Sequence, residues 1–421
     1  MNTIYDIIKN KEEITFVGSK IEIDLKNSFQ EILLITIHYP FLILALTFHV
    51  SALFCDPLGD HNVWVTLKPT SKTKPLKKKS LIVAAAQIDS FSLFYNVQPE
   101  RGAEHAASSY ITLLAVAQVL GALNATVKQE MTDIMFVFFQ GESYDYIGSS
   151  RMVYDMRNGS FPYTPDASKT QPAFVKLEDI GYFLELKQLA LVKNGTVYAH
   201  IDPITYEDSS TKIQVDHLLE SLQDSSSGTN ITIKKPSNLQ PVPPASFQQF
   251  LRSGVKVPGI VLADHEKQYR NKYYNSRFDS PELIKIDKDD ISGVSLAAVE
   301  LSKIATTVAR ALYRLARPNE TDAESISVNA SIIHEMFHCF LVNTSCPLFH
   351  SIVSQKESDG LSKALPDAFV GVYISSDQRF FVKIIKRLLG YFTGNLTWIE
   401  HKDDDSDANK NQCQDNENNQ V

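Results

Sequence analysis

Asp133-Ile134-Met135-Phe136-Val137-Phe138-Phe139-Gln140-Gly141-Glu142-Ser143-Tyr144-Asp145-Tyr146-Ile147-Gly148-Ser149-Ser150 is the stretch on which the fold turns. Asp133 to Phe139 is a nearly unbroken apolar run, the pattern of a strand buried on both faces of a parallel sheet. The chain then turns polar at once, with Glu142, Asp145 and two glycines. In an open α/β sheet the loop beyond a strand's carboxyl end is where ligands and chemistry sit. A carboxylate, Glu142, is therefore offered at that place.

Outward from this strand the pattern repeats. Ser80 to Ile88 reads as a second buried strand and Ala106 to Leu123 as a helix with Leu113, Ala117 and Leu120 on one face. Strand, helix, strand in that order implies a right-handed crossover and parallel pairing. Asn62 to Lys68 alternates as a short strand, and Ser149 to Met156 starts a helix after the glycine turn. Phe174 to Ile180, Leu186 to Lys193 and Gly259 to Leu262 are further strand candidates. Helices are expected over 212–222, 246–251, 292–316 and 325–340, with a further segment at 380–389 before the tail. The fold class expected is α/β, with three layers and a mostly parallel central sheet flanked by helices. Three regions are expected: 1–54, which carries an apolar run at 32–54; a main domain at 55–398; and an acidic tail at 399–421, rich in Asp, Asn and Gln and expected to be disordered.

Composition narrows the function. The chain has 421 residues, 43% hydrophobic and 21% charged, with a formal net charge of -8. That balance is globular and lacks the basic face a nucleic-acid partner requires. Lys72, Lys74, Lys77, Lys78 and Lys79 read as a solvated, Pro-containing loop. Cys339 and Cys346 are close enough to pair. Asn124, Asn158, Asn194, Asn230, Asn319, Asn329, Asn343 and Asn395 each begin an Asn-X-Ser/Thr triplet, which leans towards a glycosylated lumenal or extracellular protein. The run at 32–54 is long enough to span a bilayer, though Pro40, His38 and His49 suit a spanning helix poorly.

His334-Glu335-Met336-Phe337-His338 puts two imidazoles at i and i+4 with a glutamate between, the start of a single-zinc protease site. A third protein ligand is needed, and the stretch after His338 offers neither the glycine nor the histidine that usually follows. A chance pattern on an ordinary helix is the competing reading.

The order of strand 81–89, the segments 102–109, 136–150 and 176–181, and the stretch 273–281 resembles the zinc-dependent aminopeptidase fold. That family holds a zinc pair at the carboxyl ends of the strands. On this resemblance the metal positions fall at Gln87, His105, Ser143, Glu178 and Asn275, and the general base at Glu142. Gln87, Ser143 and Asn275 are weak neutral donors where zinc wants imidazole, thiolate or carboxylate. No bound metal or cofactor is expected, and peptide hydrolysis is not expected. Glu142 is left either to accept a peptide's ammonium group or to hydrogen-bond nearby backbone amides.

Asp145-Tyr146-Ile147-Gly148-Ser149 in its flanks resembles the nicastrin family, as do Cys55-Asp56-Pro57-Leu58, Val261-Leu262-Ala263-Asp264-His265, Asn271-Lys272-Tyr273-Tyr274 and Gln412-Cys413-Gln414-Asp415. The resemblance implies a degenerate aminopeptidase-like ectodomain in a glycosylated type I membrane subunit of γ-secretase. The catalytic aspartates there belong to presenilin, and two further membrane subunits complete the complex. Substrates implied are Notch-like and amyloid precursor-like membrane stubs, admitted by steric gating, with Glu142 and Tyr146 as recognition residues. Asp145, Tyr146, Ile147, Gly148 and Ser149 are implied in assembly. The family's amino-terminal lobe and its C-terminal membrane helix are not recognisable, so a partial chain is expected.

Overall fold

The computed structural model describes residues 58–70, 75–91, 102–162, 172–237, 240–286, 293–318, 322–359, 361, 371–372 and 379–394. The readings for 1–54 and 399–421, and Asn319, Asn395, Cys55 and Cys413, lie outside the described residues. The chain divides into two units, Met1–His61 with Val370–Arg379, and Asn62–Phe369 with Phe380–Val421. In the first, Leu58–Gly59 pairs antiparallel with Gly371–Val372. All that follows concerns the second.

Its sheet has seven strands: β1 (Val63–Thr66), β2 (Leu81–Gln87), β3 (Asp133–Phe139), β4 (Ile180–Leu186), β5 (Thr196–His200), β6 (Thr232–Lys234) and β7 (Gly259–Ala263). They lie in the order β1-β3-β2-β4-β7-β5-β6. The four central strands run parallel, β3 to β2, β2 to β4 and β4 to β7, while β1 pairs antiparallel with β3 and β5 with β7. This is the mostly parallel α/β sheet that the apolar runs predict.

Strand periodicity explains the layers. Successive side chains point to opposite faces, so Ile82, Ala84, Ala86, Phe136 and Phe138 enter one core. Leu81, Val83, Ala85, Met135, Val137 and Phe139 enter the other. Helices α1 (Ser108–Gly121), α3 (Ser209–Ser225), α5 (Leu296–Ala316), α6 (Ala330–Leu341) and α7 (Phe380–Thr393) contribute to the first core. The second is closed by α2 (Ile147–Arg157) through Met152, Val153 and Met156, and by α4 (Phe247–Arg252) through Phe247 and Phe250.

Two strand expectations are corrected. Phe174–Ile180 and Leu186–Lys193 are not strands; one strand, Ile180–Leu186, lies between them. The reason is chemical. Glu185 interrupts the apolar pattern of β4 and Lys187 follows directly after it, so hydropathy breaks the segment before the strand ends. The short strands β5 and β6 escape the sequence pattern altogether. Helix α1 is preceded by a π-helical turn, Ala103–Ala107, which the helical spacing does not announce.

Phe183 joins sheet to helix on the second face, with ring centroids 4.8 Å from Phe247 and 4.6 Å from Phe250. We expect Phe183→Ala to lower stability by about 3–5 kcal/mol through lost burial and a residual cavity. In urea titration the midpoint should fall with an unchanged slope.

Candidate functional site

The carboxyl ends of β2, β3 and β4 meet at one edge, and most of the candidate side chains are assembled there. Beyond β2 stand Gln87 and Asp89, beyond β3 stand Glu142 and Ser143, and just beyond β4 stands Lys187. Of the five positions read as degenerate metal sites, Gln87 and Ser143 do come together. Gln87 Nε2 donates to Ser143 Oγ at 3.1 Å and to the Asp89 carbonyl at 2.9 Å. His105 and Asn275 are also drawn together, from the π-helical turn and the loop after β7. The His105 ring is buried and stacks on Tyr274 with centroids 4.1 Å apart. Burial, the Lys187 charge and Asn275 act on it together, and burial prevails: its pKa is held well below the ordinary value.

Glu178 is a correction. It is exposed and lies in a 3-10 turn, Leu177–Asp179, just before β4. That is the amino end of the strand, across the sheet from the other four. The residue that β4 delivers to the carboxyl edge is Lys187, which the sequence reading missed because β4 was displaced. A signal was present: Glu185 and Lys187 alternate with Leu184 and Leu186, the spacing that puts both charges on one face of a strand.

Five buried carboxylates of this edge, Asp89, Glu104, Glu142, Glu185 and Asp279, accept from backbone N–H groups. Asp89 accepts from the amides of Glu142 at 2.9 Å and Ser143 at 2.8 Å. Glu104 accepts from Ala190 at 2.9 Å. Asp279 accepts from the amides of Glu104 and His105 and from Asn271 Nδ2. Glu185 accepts from Ser246 and Phe247, the first amides of α4. Buried charges are tolerated when bonded in this way.

Glu142 is bonded to the protein's own donors as well, although burial disfavours its charged form. Its side chain is buried. Its Oε1 accepts from the Ser149 amide at 2.8 Å and its Oε2 from the Ser149 hydroxyl at 2.6 Å. Glu142 therefore stabilises the first turn of α2, whose own N-cap residue, Tyr146, makes no side-chain cap. Burial pushes the Glu142 carboxyl up to about 8 against the pull of Ser149, and the Asp89 charge adds to the rise.

The Asp145–Ser149 motif now has a structural reading. Asp145 and Tyr146 both adopt left-handed backbone conformations, φ 55° and 60°, which aim α2 back along the sheet. A Cβ on Gly148 would collide with the Gln140 carbonyl and Asn62 Oδ1. Asn62 bonds both sides of the turn, donating to the Gly148 carbonyl at 2.8 Å and accepting from the Gln140 amide at 3.0 Å. The Tyr146 ring remains partly exposed.

The implied zinc pair does not fit these residues. Gln87 and Ser143 are bonded to each other, and the third strand end presents an ammonium. On α6, His334, Glu335 and His338 are all half-buried. His334 Nδ1 accepts from the Ser295 amide at 3.4 Å. Among the described residues no group of three or more His, Cys, Asp or Glu side chains is placed to hold a metal ion.

Asn124, Asn158, Asn194, Asn230 and Asn329 are exposed and Asn343 is half-buried. Cys339 and Cys346 form a disulfide. Among the described residues no helix is long and apolar enough to cross a membrane.

Two outcomes test the loop. Gly148→Ala should cost about 1–3 kcal/mol from forced displacement of backbone, read as a lowered denaturation midpoint. Glu142 has a folded-state pKa raised from 4.5 to about 8. Its favourable contribution is complete below the lower value and is lost as pH rises through the upper one. Glu142→Gln should therefore gain stability relative to the parent between about pH 5 and about pH 8.5, measured by denaturation at both.

The family model for the nicastrin large lobe matches residues 80–313. Human nicastrin is 35% identical over 370 residues, covering 86% of this chain and 48% of the relative. Nicastrin of Caenorhabditis elegans is 27% identical over 297 residues, covering 69% and 40%. The chain thus spans about half the length, or less, of these relatives. The crystal structure of the γ-secretase component nicastrin superposes with a TM-score of 0.62 at 21% identity, covering 83% of this chain and 58% of that one. A zinc aminopeptidase from Bacillus subtilis gives a TM-score of 0.39 at 16% identity, over 63% of this chain and 52% of that one. With a matched family model over more than half its length and a fold shared with the solved structure, the chain belongs to the nicastrin family.

Proposed function

We propose that this chain is a non-catalytic receptor and scaffold subunit of γ-secretase. Its partners on this reading are presenilin and the other two membrane subunits. Its substrates are type I membrane-protein stubs, Notch-like and amyloid precursor-like, admitted by the bulk of a lumenal or extracellular, glycosylated ectodomain. The observation that carries the reading is the commitment of the carboxyl-edge carboxylates. Asp89, Glu104, Glu185 and Asp279 hold backbone amides of other segments, and Glu142 holds the amide and hydroxyl of Ser149 in α2. A carboxylate that accepts two fixed donors is a poor general base, because deprotonating water would require breaking its own loop contacts.

Within this role, Asp145 to Ser149 serves assembly by fixing the turn into α2. Glu142 braces that turn from beneath, and Asp145, which is exposed, and Tyr146, which is half-buried, are members of the loop with surface to offer a substrate or a neighbouring subunit. The zinc-peptidase alternatives, through the carboxyl edge or through His334 and His338, have no donor set to support them among the described residues.

Affinity purification of the tagged chain from membranes is the test. Presenilin should co-purify, and Ser149→Ala, which removes the hydroxyl bond to Glu142, should reduce its recovery relative to folded chain. A well-folded chain that recovers no presenilin would overturn the reading. So would stoichiometric zinc and peptidase activity that both vanish in His334→Ala.

A further inference from the structure

Helix α2 buries Met152, Val153 and Met156 in the second core and leaves one large aromatic outside. Tyr154 is 58% exposed. Its ring is nonetheless supported. The Arg151 guanidinium carbon lies over it, 5.4 Å from the centroid, and Arg151 Nε is held in turn by Asp155 at 2.9 Å.

One turn further on stands Asn158, the first residue of the triplet Asn158-Gly159-Ser160. Its amide still donates to the Tyr154 carbonyl at 3.1 Å, so the helical geometry reaches it. Residues at i and i+4 are neighbours on a helix surface, with Cβ atoms about 5–6 Å apart. A helical side chain also leans over the turn before its own Cα. Asn158 is therefore directed over Tyr154. It is exposed, and Gly159 beside it has open space around it. Asn124, Asn329 and Asn343 use their side-chain oxygens to accept the amides two residues on; the Asn158 side chain has no such bond among the described residues. The sequence repeats the Tyr-to-Asn spacing at Tyr391, 47% exposed in α7, and Asn395.

We propose that Asn158 carries an N-linked glycan whose first N-acetylglucosamine packs on the Tyr154 ring. Transfer joins Asn158 Nδ2 to the anomeric carbon of that sugar, with loss of one Nδ2 proton, and breaks the sugar's bond to a lipid diphosphate, which leaves as the donor's product. The pyranose presents C–H groups and an acetamido methyl on one side, which suit the face of an aromatic ring. Because Arg151 already restrains the ring, little further order is lost on contact. This rests on the glycosylated, lumenal reading above and adds a role to one sugar: it covers the outer side of α2 and leaves the Asp145–Ser149 end of the helix for protein contacts.

The test uses the full chain made in a secretory eukaryotic host. Glycopeptide mass spectrometry should find Asn158 occupied. Asn158→Gln should lower the Tm by about 2 °C in the parent and leave it unchanged in a Tyr154→Ala background, the coupling expected of one aromatic contact. Trimming the glycans to their first N-acetylglucosamine should preserve that coupling, and removing this sugar as well should erase it. Tyr154 is exposed, so these variants fold. The inference is overturned if Asn158 is unmodified while other sequons are occupied, or if the two substitutions lower the Tm independently. It is also overturned if Tyr154→Ala reduces presenilin recovery while Asn158→Gln does not, which would make Tyr154 a protein contact. Each of these leaves the receptor reading standing, whereas a chain without glycan at any sequon contradicts the lumenal reading itself.

Discussion

The carboxyl edge of the sheet depends on one constraint: a buried carboxylate must be given donors. Parallel strands end in loops whose backbone N–H groups have no ladder partner, and this chain satisfies those groups with carboxylates from neighbouring strands. Asp89 ties the loop after β3 to the end of β2. Glu185 ties the start of α4 to β4. Asp279 ties the π-helical turn to the loop after β7. Bonds of this charge-assisted kind are roughly twice as strong as neutral ones, and in a water-poor edge the cost of losing one exceeds its net gain when made.

That constraint also accounts for the Asp145–Ser149 motif. Gly148 and Ser149 are held from beneath, while Asp145 stays exposed. Glu142 grips Ser149, Asn62 grips both sides of Gly148, and the left-handed pair Asp145 and Tyr146 sets the angle of α2. A change at almost any of these positions alters the direction of a helix that closes the second core. The motif is therefore sensitive without needing to touch a ligand. At the same edge the buried Lys187 donates to Gln87, whose amide nitrogen in turn donates to Ser143.

Much of this was legible beforehand. The apolar runs at β2, β3 and β7 give a buried parallel sheet, because only strands covered on both faces tolerate such runs. The polar break after Phe139 places Glu142 beyond the carboxyl end of β3, where it is found. Glu178 was misplaced for a definite reason: Glu185 lies within β4 and Lys187 directly after it, so an apolar search slides off the strand. Once β4 starts at Ile180, Glu178 falls at the strand's amino end and Lys187 at its carboxyl end.

By itself the sequence determined the fold class, the family and the identity of the loop that matters, since these depend on residue type and spacing along one chain. It also showed that Gln87, Ser143 and Asn275 are poor zinc donors, which is a property of the side chains alone. Only the tertiary structure decided what Glu142 does and where Lys187 lies. Both answers depend on which amides and charges the fold brings to one edge from segments far apart in the chain, and a hydrogen-bond partner is set by geometry, not by composition.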